Sequence, residues 1–190
     1  AIKPEIKRVK SFLQTLPFTL TAGQKSAAWQ IMQDMALGKP MNRLLEGDVG
    51  SGKTLVAILS MLSPLKQGYQ VSLMAPTEIL AHQHYETIHN LLKDNHSIAL
   101  LTNHYKIVDG KDTDKKTLVA KIKAGQIDLI IGTHALLYGV AFKNLALMVV
   151  DEQHRFGVQQ RAMLLKNRES ETGAIHLLSM TATPIPRTLA

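Results

Sequence analysis

Residues 47–54 read Gly-Asp-Val-Gly-Ser-Gly-Lys-Thr, and no other stretch restricts the fold of this chain as strongly. A G-x-x-x-x-G-K-[ST] segment works as a tight loop between a strand and a helix. Its backbone N–H groups must converge on an anion, which is why glycine recurs. The helix that follows presents its free N–H groups and positive dipole end to the same anion. The flanks agree, with a strand candidate at Arg43–Leu45 and an amphipathic stretch at Lys53–Leu62. In that setting Gly47, Asp48, Val49, Gly50, Ser51 and Gly52 would wrap the phosphates of ATP or GTP. Lys53 would place a cation on the β and γ phosphates, and the Thr54 hydroxyl would ligate Mg²⁺.

The rest of the chain extends the pattern. Short apolar runs at Val71–Ala75, Ile98–Leu101, Ile127–Ile131, Leu145–Val150 and Ile175–Met180 alternate with amphipathic stretches at Glu78–Lys93 and Lys115–Ala124. Such alternation predicts βαβ units and an α/β fold whose mostly parallel sheet is covered on both faces. Leu145–Val150 is apolar without interruption, which suits a central strand. Upstream, Ala1–Leu16 reads as an amphipathic helix ended by Pro17, and Thr21 as the N-cap of a second helix reaching about Leu37. Asn103–Lys116 is rich in Lys and Asp and reads as an exposed loop leading into a helix capped by Thr113 or Asp114.

Composition narrows the function classes. The chain has 190 residues, 45% of them hydrophobic and 19% charged, enough for one domain with a core. With no cysteine, disulfide scaffolds, thiol catalysis and Cys-based zinc sites are excluded, and a reducing cytoplasm fits. The apolar runs fall far short of the roughly 18 residues that span a bilayer. The charged start, Ala-Ile-Lys-Pro-Glu-Ile-Lys-Arg, is not a signal core, and the missing first Met would fit a processed product or a piece of a longer chain. The formal charge of +7 suits a polyanionic partner or, equally, a solvated face. The eight histidines follow no zinc-ligand spacing, His82 and His84 lying on different faces of a helix.

Three further segments sit at predicted strand ends, where ligands bind in open α/β sheets. Asp151 and Glu152 follow Leu145–Val150. Asp151 could hold Mg²⁺ through water and Glu152 could orient and deprotonate an attacking water, or the two could merely cap the next turn. Thr181 and Thr183 follow Ile175–Met180 and could exchange hydrogen bonds with His154 or the carboxylates. Thr77 and Glu78, and likewise Gly132, Thr133 and His134, are placed either to meet a phosphate backbone or simply to cap helices. Gln24 carries an amide that matches the adenine edge, or is an ordinary helix glutamine.

In order, Gln24, GDVGSGKT, APTEILAHQHY, GTHALL, VVDEQHRFGVQQR and MTATPIPRTLA resemble the first motor lobe of superfamily 2 helicases and translocases. Within them, Met41–Thr54, Asp151–Arg161 and Thr181–Ala190 are most similar to the RecG family of bacterial branch-migration DNA helicases. The transcription-repair coupling translocases share much of this but usually have Glu at the place of Gln153. The resemblance covers Leu16–Ala190. It implies a three-layer α/β/α RecA-like P-loop domain at residues 17–190 behind a helical lead-in at 1–16. Gln24 would read adenine, and His154, Thr181 and Thr183 would couple hydrolysis to movement. Thr77, Glu78, Gly132, Thr133 and His134 would face DNA. It further implies ATP and Mg²⁺ as cofactors, and forks and Holliday junctions recognised by shape. A second RecA-like lobe with an arginine finger, a wedge domain, a monomeric state and a bacterial nucleoid setting, with no membrane, complete what it implies. The family commonly has glycine near Asn103, where this chain has none.

Overall fold

The computed structural model describes residues 1–157, 169–170 and 173–182. Its elements in chain order are α1 (Ile6–Gln14), α2 (Ala22–Ala36), β1 (Asn42–Glu46), α3 (Lys53–Lys66), β2 (Gln70–Met74), α4 (Glu78–Leu92), β3 (Ile98–Leu101), β4 (Lys106–Val108), β5 (Lys111–Asp112), α5 (Lys115–Lys123), β6 (Leu129–Gly132), β7 (Leu145–Asp151), β8 (Glu169–Ser170), β9 (Gly173–Ala174) and β10 (His176–Thr181). Eight strands form one sheet in the order β1-β10-β7-β2-β6-β3-β4-β5, and β8 pairs with β9 separately. The six strands from β1 to β3 in that order are all parallel, and β4 and β5 add an antiparallel hairpin at the edge.

Side-chain alternation along the strands makes two cores. Val71, Leu73, Leu147 and Val149 join Ile31 of α2, Leu59 and Leu62 of α3 and Tyr85 and Ile88 of α4 on one face. Met148, Val150, Ile130 and Leu101 meet Leu118 and Ile122 of α5 on the other, with Leu136, Leu137 and Phe156. Helices on both faces of a mostly parallel sheet give the three-layer α/β/α arrangement expected from the sequence. Buried Gln70 locks the sheet's lower edge: its Nε2 donates to the Ile122 and Ile127 carbonyls and its Oε1 accepts from the Lys143 and Asn144 N–H groups. All four hydrogen-bonding positions of that amide are filled, as burial demands. The lead-in is part of the core as well, since Ile2, Val9 and Phe12 are buried in it.

Two local expectations change. The segment Asn103–Lys116 is not a plain loop, because β4 pairs with β3 and turns back into β5. The turn residues Asp109 and Gly110 have φ of 49° and 80°, the paired positive values of a type I′ hairpin turn. The cap of α5 is Asp114, whose carboxylate accepts from the Thr117 N–H at 2.8 Å. The helix after the phosphate loop is also longer than Lys53–Leu62: it runs through Pro64 to Lys66, packed on the sheet by Leu62 and Leu65.

Candidate nucleotide site and the adjoining strand-end surface

Because the strands are parallel, their C-terminal ends share one edge, and strand order decides which motifs become neighbours. Register pairs Glu46 of β1 with Thr181 of β10, and Met180 of β10 with Asp151 of β7. The loop after β1 and the acidic pair after β7 are thus two strand spacings apart, about 10 Å. Thr181 lies between them. Further along, Met74 of β2 pairs with both Val150 and Gly132, and Gly132 pairs with Leu101. Residues 75–78, 133–134 and 102–105 therefore line the other half of the edge.

The first half has the shape of a phosphate cradle. Gly47 N–H donates to the Thr181 carbonyl at 3.3 Å, and Ser51 N–H closes the turn onto Asp48 at 3.0 Å. Gly50 and Gly52 have φ of 81° and 82°, backbone that only glycine adopts at little cost. A Cβ on Gly52 would also sit 2.3 Å from Gln24 Nε2. Lys53 Nζ is turned into the loop, donating to the Gly47 and Asp48 carbonyls. Thr54 follows it in the first turn of α3, half-buried, and the tip residue Val49 is 92% exposed. A glycine-lined loop, an inward lysine and the N-terminus of a 14-residue helix fit a polyphosphate.

Gln24 is bound to this loop. Thr21 and Gln24 form a reciprocal capping box at the start of α2. The Gln24 Oε1 accepts from the Thr21 N–H at 3.0 Å, and its Nε2 donates to the Ser51 carbonyl, also at 3.0 Å. One amide thereby joins a helix cap to the phosphate loop.

Alternation along β7 puts Asp151 on the same face as Leu147 and Val149, toward α3 and α4. Its Oδ2 lies 2.7 Å from His84 Nε2 of α4. Glu152 then turns the chain with φ of 50° while its N–H donates to the Met180 carbonyl. Its carboxylate lies 3.3 Å from His154 Nδ1, and the same nitrogen lies 3.4 Å from Thr181 Oγ1. Glu152, His154 and Thr181 are thus one polar chain from β7 to β10. Thr183 lies outside the described residues. Carboxylates on Asp151 and Glu152 and a hydroxyl on Thr54 are hard oxygen donors, which suits Mg²⁺.

On the second half of the edge the side chains are engaged in holding the edge together. Thr77 caps α4 by accepting from Leu80 N–H. Glu78 accepts from the His104 N–H at 2.9 Å and pairs with His104 Nδ1 at 2.6 Å. The His104 N–H, aided by Thr102 and the His104 ring, holds the Glu78 carboxyl at about 2, well below its usual 4.5. His82 and Tyr105 meet with ring centres 5.0 Å apart and planes tilted by 54°. Gly132 is required by packing, because a Cβ there would lie 2.2 Å from the Leu101 carbonyl oxygen. Thr133 is buried and caps the single turn His134–Leu137, and His134 is half-buried. Ile79 and His104 are exposed on this surface. The sequence reading missed two of these anchors, His84 and His104. Their partners lie 67 and 26 positions away, and nothing local signals them.

Comparison with known proteins shows the family and the fold. A family profile described as DEAD/DEAH box helicase matches residues 21–190. The chain is 49% identical over 186 residues to the ATP-dependent DNA helicase RecG of Aquifex aeolicus, covering 97% of this chain and 23% of that protein. It is 50% identical over 188 residues to RecG of Staphylococcus aureus strain NCTC 8325, covering 98% of this chain and 26% of that protein. The chain thus spans about a quarter of the length of these relatives. A solved structure of RecG bound to a three-way DNA junction superposes with a TM-score of 0.80 at 42% identity, over 100% of this chain and 24% of that one. The DNA-bound helicase MrfA shares the fold, with a TM-score of 0.73 at 19% identity over 98% of this chain and 28% of that one.

Proposed function

The chain belongs to the DEAD/DEAH box helicase family, and on that footing we propose that it is the ATP-binding motor lobe of a RecG-type DNA helicase. In this reading residues 17–190 are the lobe and residues 1–16 its helical lead-in. The protein remodels forks and Holliday junctions by ATP hydrolysis, in the bacterial cytoplasm on nucleoid DNA, as a monomer. The observation that carries the proposal is the pairing of a glycine cradle after β1 with an acidic pair after β7, across Thr181 of β10.

Each residue then has a defined task. The backbone N–H groups of 47–54 and the start of α3 bind the phosphate oxygens. Lys53 exchanges the Gly47 and Asp48 carbonyls for the β and γ phosphates. Gln24, already bonded to Ser51, sits where adenine recognition can be felt by the loop. Thr54 and Asp151 would hold Mg²⁺, which when bound neutralises charge on the β and γ oxygens. Glu152 orients the attacking water and takes its proton. His154 shares one nitrogen between Glu152 and Thr181, so a change in the charge of Glu152 alters which neighbour it serves. DNA contacts the surface of residues 75–78, 102–105 and 133–134 through its backbone, and recognition is of structure rather than of base sequence. A second RecA-like lobe completes the ATP site with an arginine finger, an addition worth about 10³ to 10⁵ in rate in comparable enzymes.

The test uses the intact protein. Lys53→Ala and Glu152→Gln are each expected to abolish DNA-stimulated ATP hydrolysis and four-way-junction unwinding. Normal turnover in either would refute the proposal. The translocase alternative is separated by activity: displacement of stalled RNA polymerase without junction unwinding would favour it over a RecG-type motor.

A further inference from the structure

The contact between His84 and Asp151 is not accounted for by any task above. The two side chains are 12% and 13% exposed, and their polar atoms are 2.7 Å apart. A carboxylate only accepts, so His84 Nε2 carries the proton and donates it to Oδ2. The second carboxylate oxygen remains for a metal or its water. His84 belongs to α4, which springs from the Thr77 cap two turns earlier, about 10 Å along the axis. That same helix holds the segment after β3 through Glu78 and His82. It also holds the hairpin turn, where the Tyr85 hydroxyl accepts from the Gly110 N–H at 2.9 Å. Asp151 is therefore oriented by a helix whose first turns hold the candidate DNA surface.

We propose that His84 is a positioning residue: it fixes the Asp151 carboxylate for the divalent cation and ties the orientation of that carboxylate to α4. Hydrogen-bonded partners of metal-binding carboxylates set ligand direction and metal affinity. A displacement of α4 at its DNA-facing end moves the Nε2 donor and with it the Asp151 oxygens. The proposal rests on the motor-lobe reading for the identity of the cation site, but it concerns a link that the reading does not need.

The probe is Mn²⁺, followed by electron paramagnetic resonance in the intact protein with a non-hydrolysable ATP analogue. Nucleotide binding in EDTA and the thermal midpoint are measured alongside. His84→Ala is expected to weaken Mn²⁺ binding about tenfold or more, while metal-free nucleotide affinity stays within about twofold. His84→Gln, which can present an N–H at similar reach, is expected to recover most of the loss, and the shorter His84→Asn is not. Mn²⁺ affinity in His84→Ala within about twofold of wild type would overturn the proposal. So would losses equal in the Gln and Asn variants, which mark general loosening. Should His84→Ala fail to fold, the Gln and Asn pair decides alone. Wild-type protein that bound no Mn²⁺ with nucleotide would overturn the motor reading as well. Binding by wild type with none of these differences would overturn only the role of His84.

Discussion

Acid should release the start of α4 from the segment after β3 through one group, Glu78. Its folded pKa of about 2 lies below the ordinary 4.5, chiefly because the His104 N–H donates to it. A depressed carboxylate stabilises the fold above the unfolded value, and that contribution disappears as pH falls through the folded one. The thermal midpoint of wild type should therefore exceed that of Glu78→Gln by a constant amount above about pH 5, and the gap should narrow between 4.5 and about 2. A gap undiminished near the lower limit would contradict the assignment. A second residue-scale prediction concerns Gly52. Its φ of 82° costs an L-residue about 1–2 kcal/mol, and an added Cβ meets Gln24 Nε2. Gly52→Ala should lower both the thermal midpoint and nucleotide affinity. Combining it with Gln24→Ala should restore only the part of the thermal midpoint due to the clash, and full recovery of the midpoint would show that the φ requirement had been overstated. The glycines, lysine and acidic pair could be read from sequence because their chemistry is local. The second bond of Gln24, from its amide to Ser51, could not, since it crosses 27 positions.

Elements were legible where pattern and punctuation agreed. Thr21 caps α2 and Leu37 ends it as the sequence suggests, and the inner parallel strands fall on the apolar runs because both of their faces are buried. The β4–β5 hairpin was not seen. Its strands have only three and two residues and lie in a Lys- and Asp-rich stretch, and both residues of β5 are exposed. The Asp109-Gly110 turn signal was present but lacked flanking alternation to give it weight. That turn now supports a prediction. Asp109 tolerates its positive φ, and its carboxylate accepts from the Ile98 N–H and the Ser97 hydroxyl, both at 2.8 Å. Asp109→Ala should cost about 2 kcal/mol in urea unfolding, through lost charge-assisted bonds and a residue ill-suited to the left-handed region. Asp109→Asn, which keeps the conformation and one acceptor, should cost clearly less; equal losses would assign the effect to charge alone.

Strand order was the property least available to the sequence, since apolar runs do not state their neighbours, yet it organises the whole molecule. It sets the candidate nucleotide residues on β1, β10 and β7 and the candidate DNA residues on β2, β6 and β3, with β7 and β2 adjacent at the middle. Two ligands on separate halves of one edge should be separable by substitution. Lys53→Ala removes a cation from the first half and touches nothing on the second, so it should abolish turnover of the intact protein while leaving forked-DNA affinity unchanged. That affinity should still fall with salt, because phosphate contacts release counterions at about 0.9 per phosphate on duplex DNA, and the formal charge of +7 supplies the cations. Binding isotherms at several salt concentrations, with and without the substitution, measure both quantities. Parallel slopes are expected. If Lys53→Ala also flattened the slope, the phosphate loop itself would be part of the DNA surface, and the division of the edge into two halves would be wrong.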